Sequence, residues 1–141
     1  MGKILCATRG GEASYRTRDA AIALAQELGH ELLFLFVVDV EFLSRTSRAV
    51  RPDVVTAEMV KMGEFLLTMA QERAQKQGVA ASWVLRHGDM RPELMAATRE
   101  RDVALVVLGR PAGTESAFAL QDLEDFAAEI EAETGVPARI I

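Results

Sequence analysis

The chain reads as an α/β protein, a single five-stranded parallel sheet, doubly wound, of order 3-2-1-4-5 with helices on both faces. Three observations predict this. Short apolar segments alternate strictly with amphipathic ones. Residues 32–38 and 103–108 are continuously apolar, the pattern of strands covered on both sides. Glycines at 29, 78 and 135 stop three of the amphipathic stretches. Right-handed crossovers then leave few topologies.

In order, strands are predicted at residues 3–8, 32–38, 80–85, 103–108 and 137–141. The first helix spans residues 13–28, with Ala13, Ala20, Ala21, Leu24 and Leu28 as its apolar stripe. The second spans 53–77 behind Pro52, with Val55, Met59, Met62, Leu66 and Ala70 inward. The third, 91–101, turns Leu94, Met95 and Thr98 inward, and Asp89 is placed to cap it. The fourth, 116–134, carries Ala119, Leu123, Phe126, Ala127 and Ile130. Residues 39–53 are less regular and hold Arg45, Arg48 and Arg51 at three-residue spacing.

A length of 141 residues suits one domain, taken as residues 1–141. Composition is that of a globular protein, with 50% apolar residues. The net charge of −5 argues against a general nucleic-acid binder. Cys6 is the single cysteine, so no intrachain disulfide forms, which suits a reducing compartment. The opening MGKILCATRGG has too short an apolar run for a signal peptide. No apolar run approaches the about 20 residues that cross a bilayer. A cytoplasmic protein without membrane insertion is expected.

Specific segments add to this. The opening KILCATRGGEAS resembles the start of the universal stress protein family, where the first strand runs into an Asp-containing turn. FVVD resembles the end of its second strand, HGDM its Gly-Asp turn, and VALVVLGRPAG its fourth strand and the first half of its glycine-rich loop. GVPARII resembles the closing strand. The similarity runs in order along essentially the whole chain. It implies a Rossmann-like fold of the adenine nucleotide alpha hydrolase kind.

ATP-binding members of the family carry that Asp, and a loop of Gly, two residues, Gly, nine residues, then Gly followed by Ser or Thr. Such glycines let backbone N–H groups approach phosphate oxygens. Here Arg9 stands at the Asp position. Gly109 matches the first glycine, but Ala112 takes the second place and Gly113 comes one residue late. The final pair falls near Glu124-Asp125, which repels a triphosphate. The resemblance therefore implies a non-enzymatic stress-response or signalling domain, dimeric, with a degenerate ATP loop and no cofactor expected. The alternative is a sensor for a nucleotide (ATP or ADP, with weak ATPase activity as an extension) or another anion, at the cleft between strands 1 and 4. That candidate site consists of Thr8, Arg9, Gly10, Gly11, Val37, Val38, Gly109, Arg110 and Gly113.

Other constellations carry less. Arg9, Arg45, Arg48, Arg51 and Arg110 are read as pairing internally with Glu115, Glu124 and Asp125, closing the ancestral pocket. His30, His87 and Cys6 have no metal-ligand spacing. Cys6, inside a strand, reads as a buried inert thiol. Ser14, Thr17, Ser44 and Ser47 have no base that sequence can name. The run Arg9 to Ser14 resembles the Ser-Gly-Gly-x-Asp-Ser loop of ATP pyrophosphatases but lacks its first Ser and its Asp. A receiver domain needs acids after strands 1 and 3, where Arg9 and Arg86-His87-Gly88 stand. Glu124, Glu129, Glu131 and Glu133 read as a solvated face, and Met59, Met62, Met69 and Met95 as core or interface filler. The closing segment, residues 136–141, lies at a sheet edge, and edges invite pairing. Family members commonly dimerise through it, so a homodimer through Val136 to Ile141 is expected, besides an unknown protein partner.

Overall fold

The computed structural model describes residues 2–8, 12–39, 52–110 and 116–141, the side chains at 12, 13, 52 and 116–119 excepted. The elements are β1 (Lys3–Ala7), α1 (Glu12–Leu28), β2 (Glu31–Val38), α2 (Pro52–Lys76), β3 (Ala81–His87), α3 (Met90–Glu100), β4 (Val103–Leu108), α4 (Ser116–Thr134) and β5 (Ala138–Ile140). The strands form one parallel sheet of order β3-β2-β1-β4-β5. This is the expected order, with β1 at the centre and the switch point between β1 and β4.

Two apolar layers hold the helices to the sheet. On one face Ile4, Cys6, Phe34, Phe36, Val38 and Val107 pack against Ala21, Ile22 and Ala25 of α1 and Leu67, Ala70 and Ala74 of α2. On the other Leu5, Leu33, Leu35, Val106 and Leu108 pack against Leu94, Met95 and Ala97 of α3 and Phe126 and Ile130 of α4. β1 and β2 are buried on both faces, which is why their sequences do not alternate. Gly63 of α2 faces the first layer. A methyl there would come within 2.6 Å of the Phe36 ring, so helix backbone packs directly on that ring. Gly29, Gly78 and Gly135 have φ of 70°, 79° and 75°, the left-handed helix stops that the sequence predicts.

Some inward faces differ from the sequence reading. In α1 the residues turned inward are Thr17, Ala21, Ile22 and Ala25, while Ala20 and Leu28 face water on the flanks. In α2 Leu66, Leu67, Ala70 and Ala74 face the sheet, and Met62 faces out. Leu94, Met95 and Thr98 of α3 are buried as expected. Asp89 holds the N-cap position with an extended backbone, but its side chain makes no capping bond. β3 continues past Leu85, because Arg86 and His87 pair with Val37 and Val38. Arg86 tolerates that place by ion pairing with Glu93 at 2.7 Å and Glu100 at 2.8 Å, both on α3.

Candidate functional site

The carboxyl ends of β1, β2 and β4 lie side by side, which brings Thr8, Val38 and Gly109 to one edge of the sheet. Strand alternation splits the two valines. Val38 is buried in the layer under α1 and α2, whereas half-buried Val37 packs into the opposite layer. Thr8 is buried, and its N–H donates to the Leu35 carbonyl at 2.8 Å. Arg9, Gly10, Gly11 and Gly113 lie outside the described residues, as do Arg45, Arg48, Arg51, Ala112 and Glu115.

Gly109 closes β4 against α1. A Cβ there would stand 2.5 Å from Thr17 Oγ1, so this glycine permits a close approach of strand end to helix. Thr17 itself is buried. The next residue, Arg110, has an exposed side chain, but its N–H donates to the Ile141 carbonyl at 2.9 Å. The Ile141 N–H in turn donates to the Leu108 carbonyl at 3.0 Å. At the carboxyl end of β2, Val38 accepts from the Gly88 N–H at 2.9 Å.

One charged cluster at this end of α1 escaped the sequence reading. Arg18 is largely buried, lies 4.8 Å from the centre of the Tyr15 ring and donates from Nε to Asp19 Oδ1 at 3.1 Å. Arg73 of α2 reaches the same carboxylate through Nε at 2.6 Å and Nη2 at 3.2 Å. Partial burial raises the Asp19 pKa, but hydrogen bonds from Arg73 and Arg18 outweigh it and hold the carboxyl below its ordinary range. The signal in sequence was only the Arg18-Asp19 adjacency, with no hint that Arg73 arrives from another helix. Burial pushes the Cys6 thiol up to about 12, against the opposing charge of Arg18. Cys6 is thus the inert thiol that its strand position predicts.

The expected closing of the cleft by ion pairs is not found among the described residues. Among the described residues Arg110 makes no ion pair with Glu124 or Asp125, and Asp125 accepts from Gln121 one turn earlier on α4, at 3.1 Å; the other arginines and Glu115 of that expectation lie outside the described residues. No group of three metal-ligating side chains occurs among the described residues. His30 Nδ1 is buried without a partner there, but it sits at the amino end of β2, opposite the cleft. No described helix is long and apolar enough to cross a membrane.

Known proteins match this fold and order. The model of the universal stress protein family matches residues 1–122. Universal stress protein YxiE from Bacillus subtilis (strain 168) is 32% identical, over 77% of this chain and 78% of that protein. A universal stress protein family structure from Burkholderia pseudomallei superimposes with a TM-score of 0.75 at 25% identity, covering 99% of this chain and 95% of the other. A universal stress protein family protein from Arabidopsis thaliana with AMP bound gives a TM-score of 0.63 at 17% identity, covering 100% of this chain and 91% of the other, a likeness of fold alone. With the predicted strand order, the family model and the curated relative in agreement, the chain belongs to the universal stress protein family.

Proposed function

We propose that this protein is a non-enzymatic stress-response or signalling domain of the cytoplasm, acting as a homodimer through residues 136–141. In this reading it does not hold ATP in the family's triphosphate cradle. The observation that supports this is where the backbone donors go. A phosphate cradle needs free N–H groups at the carboxyl edge of the sheet. In the described part of that edge, Thr8 and Arg110 direct theirs to Leu35 and Ile141. Arg9 at the Asp position and the acids at Glu124-Asp125 point the same way.

A second reading is kept because a relative of the same fold has AMP bound. A nucleoside monophosphate asks for fewer phosphate donors than ATP, and the carboxyl ends of β1 and β4 lie side by side at the edge where it would sit. Weak ATP hydrolysis belongs to this reading as an extension. Titration calorimetry and thermal shift with ATP, ADP and AMP separate the two. The first reading expects no shift with any of them. A ligand at a hundredfold excess over its Kd adds about 2.7 kcal/mol of stability. Such a shift with AMP alone favours the second reading, and ATP binding of ordinary affinity overturns the first.

A further inference from the structure

The outer face of α2 carries an apolar stripe that no other described element covers. Phe65 is 64% exposed, Val54 48%, Met62 43% and Met69 42%. An exposed aromatic between two exposed methionines is unusual on a helix whose opposite face, Leu66, Leu67, Ala70 and Ala74, already packs on the sheet. Glu58, Met62, Phe65, Met69, Glu72 and Lys76 follow one another at alternating spacings of four and three residues. That spacing makes a continuous seam for a second helix, apolar in the middle and charged at both ends.

We propose that this seam is a self-association surface, on which α2 packs against α2 of a second copy of the chain in antiparallel orientation. The charges select that occupant. In parallel register Glu58, Glu72 and Lys76 each meet their own kind. In antiparallel register, with Phe65 opposite Met69 of the partner subunit, Glu58 stands opposite Lys76 of the partner subunit. Met62 then reaches the level of Glu72 of the partner subunit, and Lys61, beside Met62, meets that carboxylate. Two-fold symmetry repeats each pair, so opposite charges flank a Phe-Met centre on both sides. Within one copy, the Lys61 to Glu58 approach of 3.9 Å is long and exposed, so both groups remain available to a partner. Arg73 lies on the flank of the seam and stays with Asp19. This surface is distinct from β5, which lies at the far edge of the sheet from the strands under α2.

Cysteine cross-linking tests the register, because the native Cys6 is buried and gives no background. E58C and K76C proteins are prepared separately, oxidised alone, and oxidised as a mixture. A disulfide needs Cα atoms within about 7 Å. In the antiparallel register two copies of residue 58 are about 27 Å apart along the helix at 1.5 Å per residue. The mixture therefore cross-links, while neither protein does so alone. Sedimentation of Phe65→Glu should show self-association through this face weakened at least tenfold, with an unchanged far-ultraviolet spectrum, since Phe65 supports no core. Cross-linking of E58C alone, absence of the mixed product, or unaltered association of Phe65→Glu overturns the proposal. Pairing through β5 alone produces no mixed product and so cannot mimic the expected result.

Discussion

At the scale of single residues, Gly109 shows how a family motif changes its meaning. By the loop pattern of the resemblance, the first glycine would let the backbone approach a phosphate. Here a methyl at this position would meet Thr17 Oγ1 at 2.5 Å, so the glycine also sets how closely β4 approaches α1. Gly109→Ala is expected to destabilise the protein by about 1–3 kcal/mol, the usual range for overpacking a tight site. Thr17→Ala removes the oxygen in the way, so the double variant should recover part of that loss. Urea melts of the single and double variants give the coupling. If Gly109→Ala costs nothing, the glycine is not there for packing. The sequence could show that a glycine was present, but not what it touched. Thr17 lies more than ninety positions earlier in the chain, and only the parallel pairing of β1 with β4 brings the two together.

At the scale of elements, the strands and helices were legible because burial on two faces leaves unbroken apolar runs and helix ends leave glycines. What was not legible came from charges placed where an apolar reading stops. The apolar pattern of β3 ends at Leu85, yet Arg86 continues the strand, with Glu93 and Glu100 neutralising it from α3. The α1–α2 link is of the same kind. Asp19 joins two helices through Arg18 and Arg73, and against the opposing effect of partial burial these hydrogen bonds hold its carboxyl below the ordinary range in the folded state. The stabilisation is therefore fully present above about pH 4. It is lost as pH falls through the lower, folded-state value. The carboxylate is 42% exposed and Arg73 48%, so solvent screening limits the contribution. Asp19→Asn is expected to cost about 1 kcal/mol or less at neutral pH. The gap between variant and native protein should start to narrow as the urea midpoints are followed below about pH 4. A gap independent of pH would assign the effect to packing instead.

At the scale of the whole molecule, the sheet has two edges with different character. β3 is long and has Arg86 tied to α3, while β5 is three residues and bonds to β4 through alternate peptides. Pro137 and Ile141 direct their carbonyls to Val106 and Arg110, so by strand alternation the N–H groups of Ala138 and Ile140 point away from β4. They are the donors that a second copy would use in the proposed β5 dimer. Ala138→Pro removes one of them without touching the bonds to β4. It should raise the dimer dissociation constant, read by sedimentation equilibrium, with little change in the far-ultraviolet spectrum. A variant that dimerises as tightly as the native chain refutes this edge as the interface. The global topology was readable from the order of segments alone. The state of the cleft between β1 and β4 was not, because it depends on which backbone groups are already engaged.

The placement of Cys6 has a separate consequence for how the molecule ages and how its opening can be timed. Its thiol sits in the central strand, buried beneath α1 and α2, with its pKa pushed up to about 12. Oxidants and alkylating reagents act on the exposed thiolate, so they find almost none in the folded protein. Covalent damage at this position must wait until β1 separates from its neighbours, an event close to global unfolding. The lone sulfur is thereby a silent clock, recording how often the whole sheet comes apart.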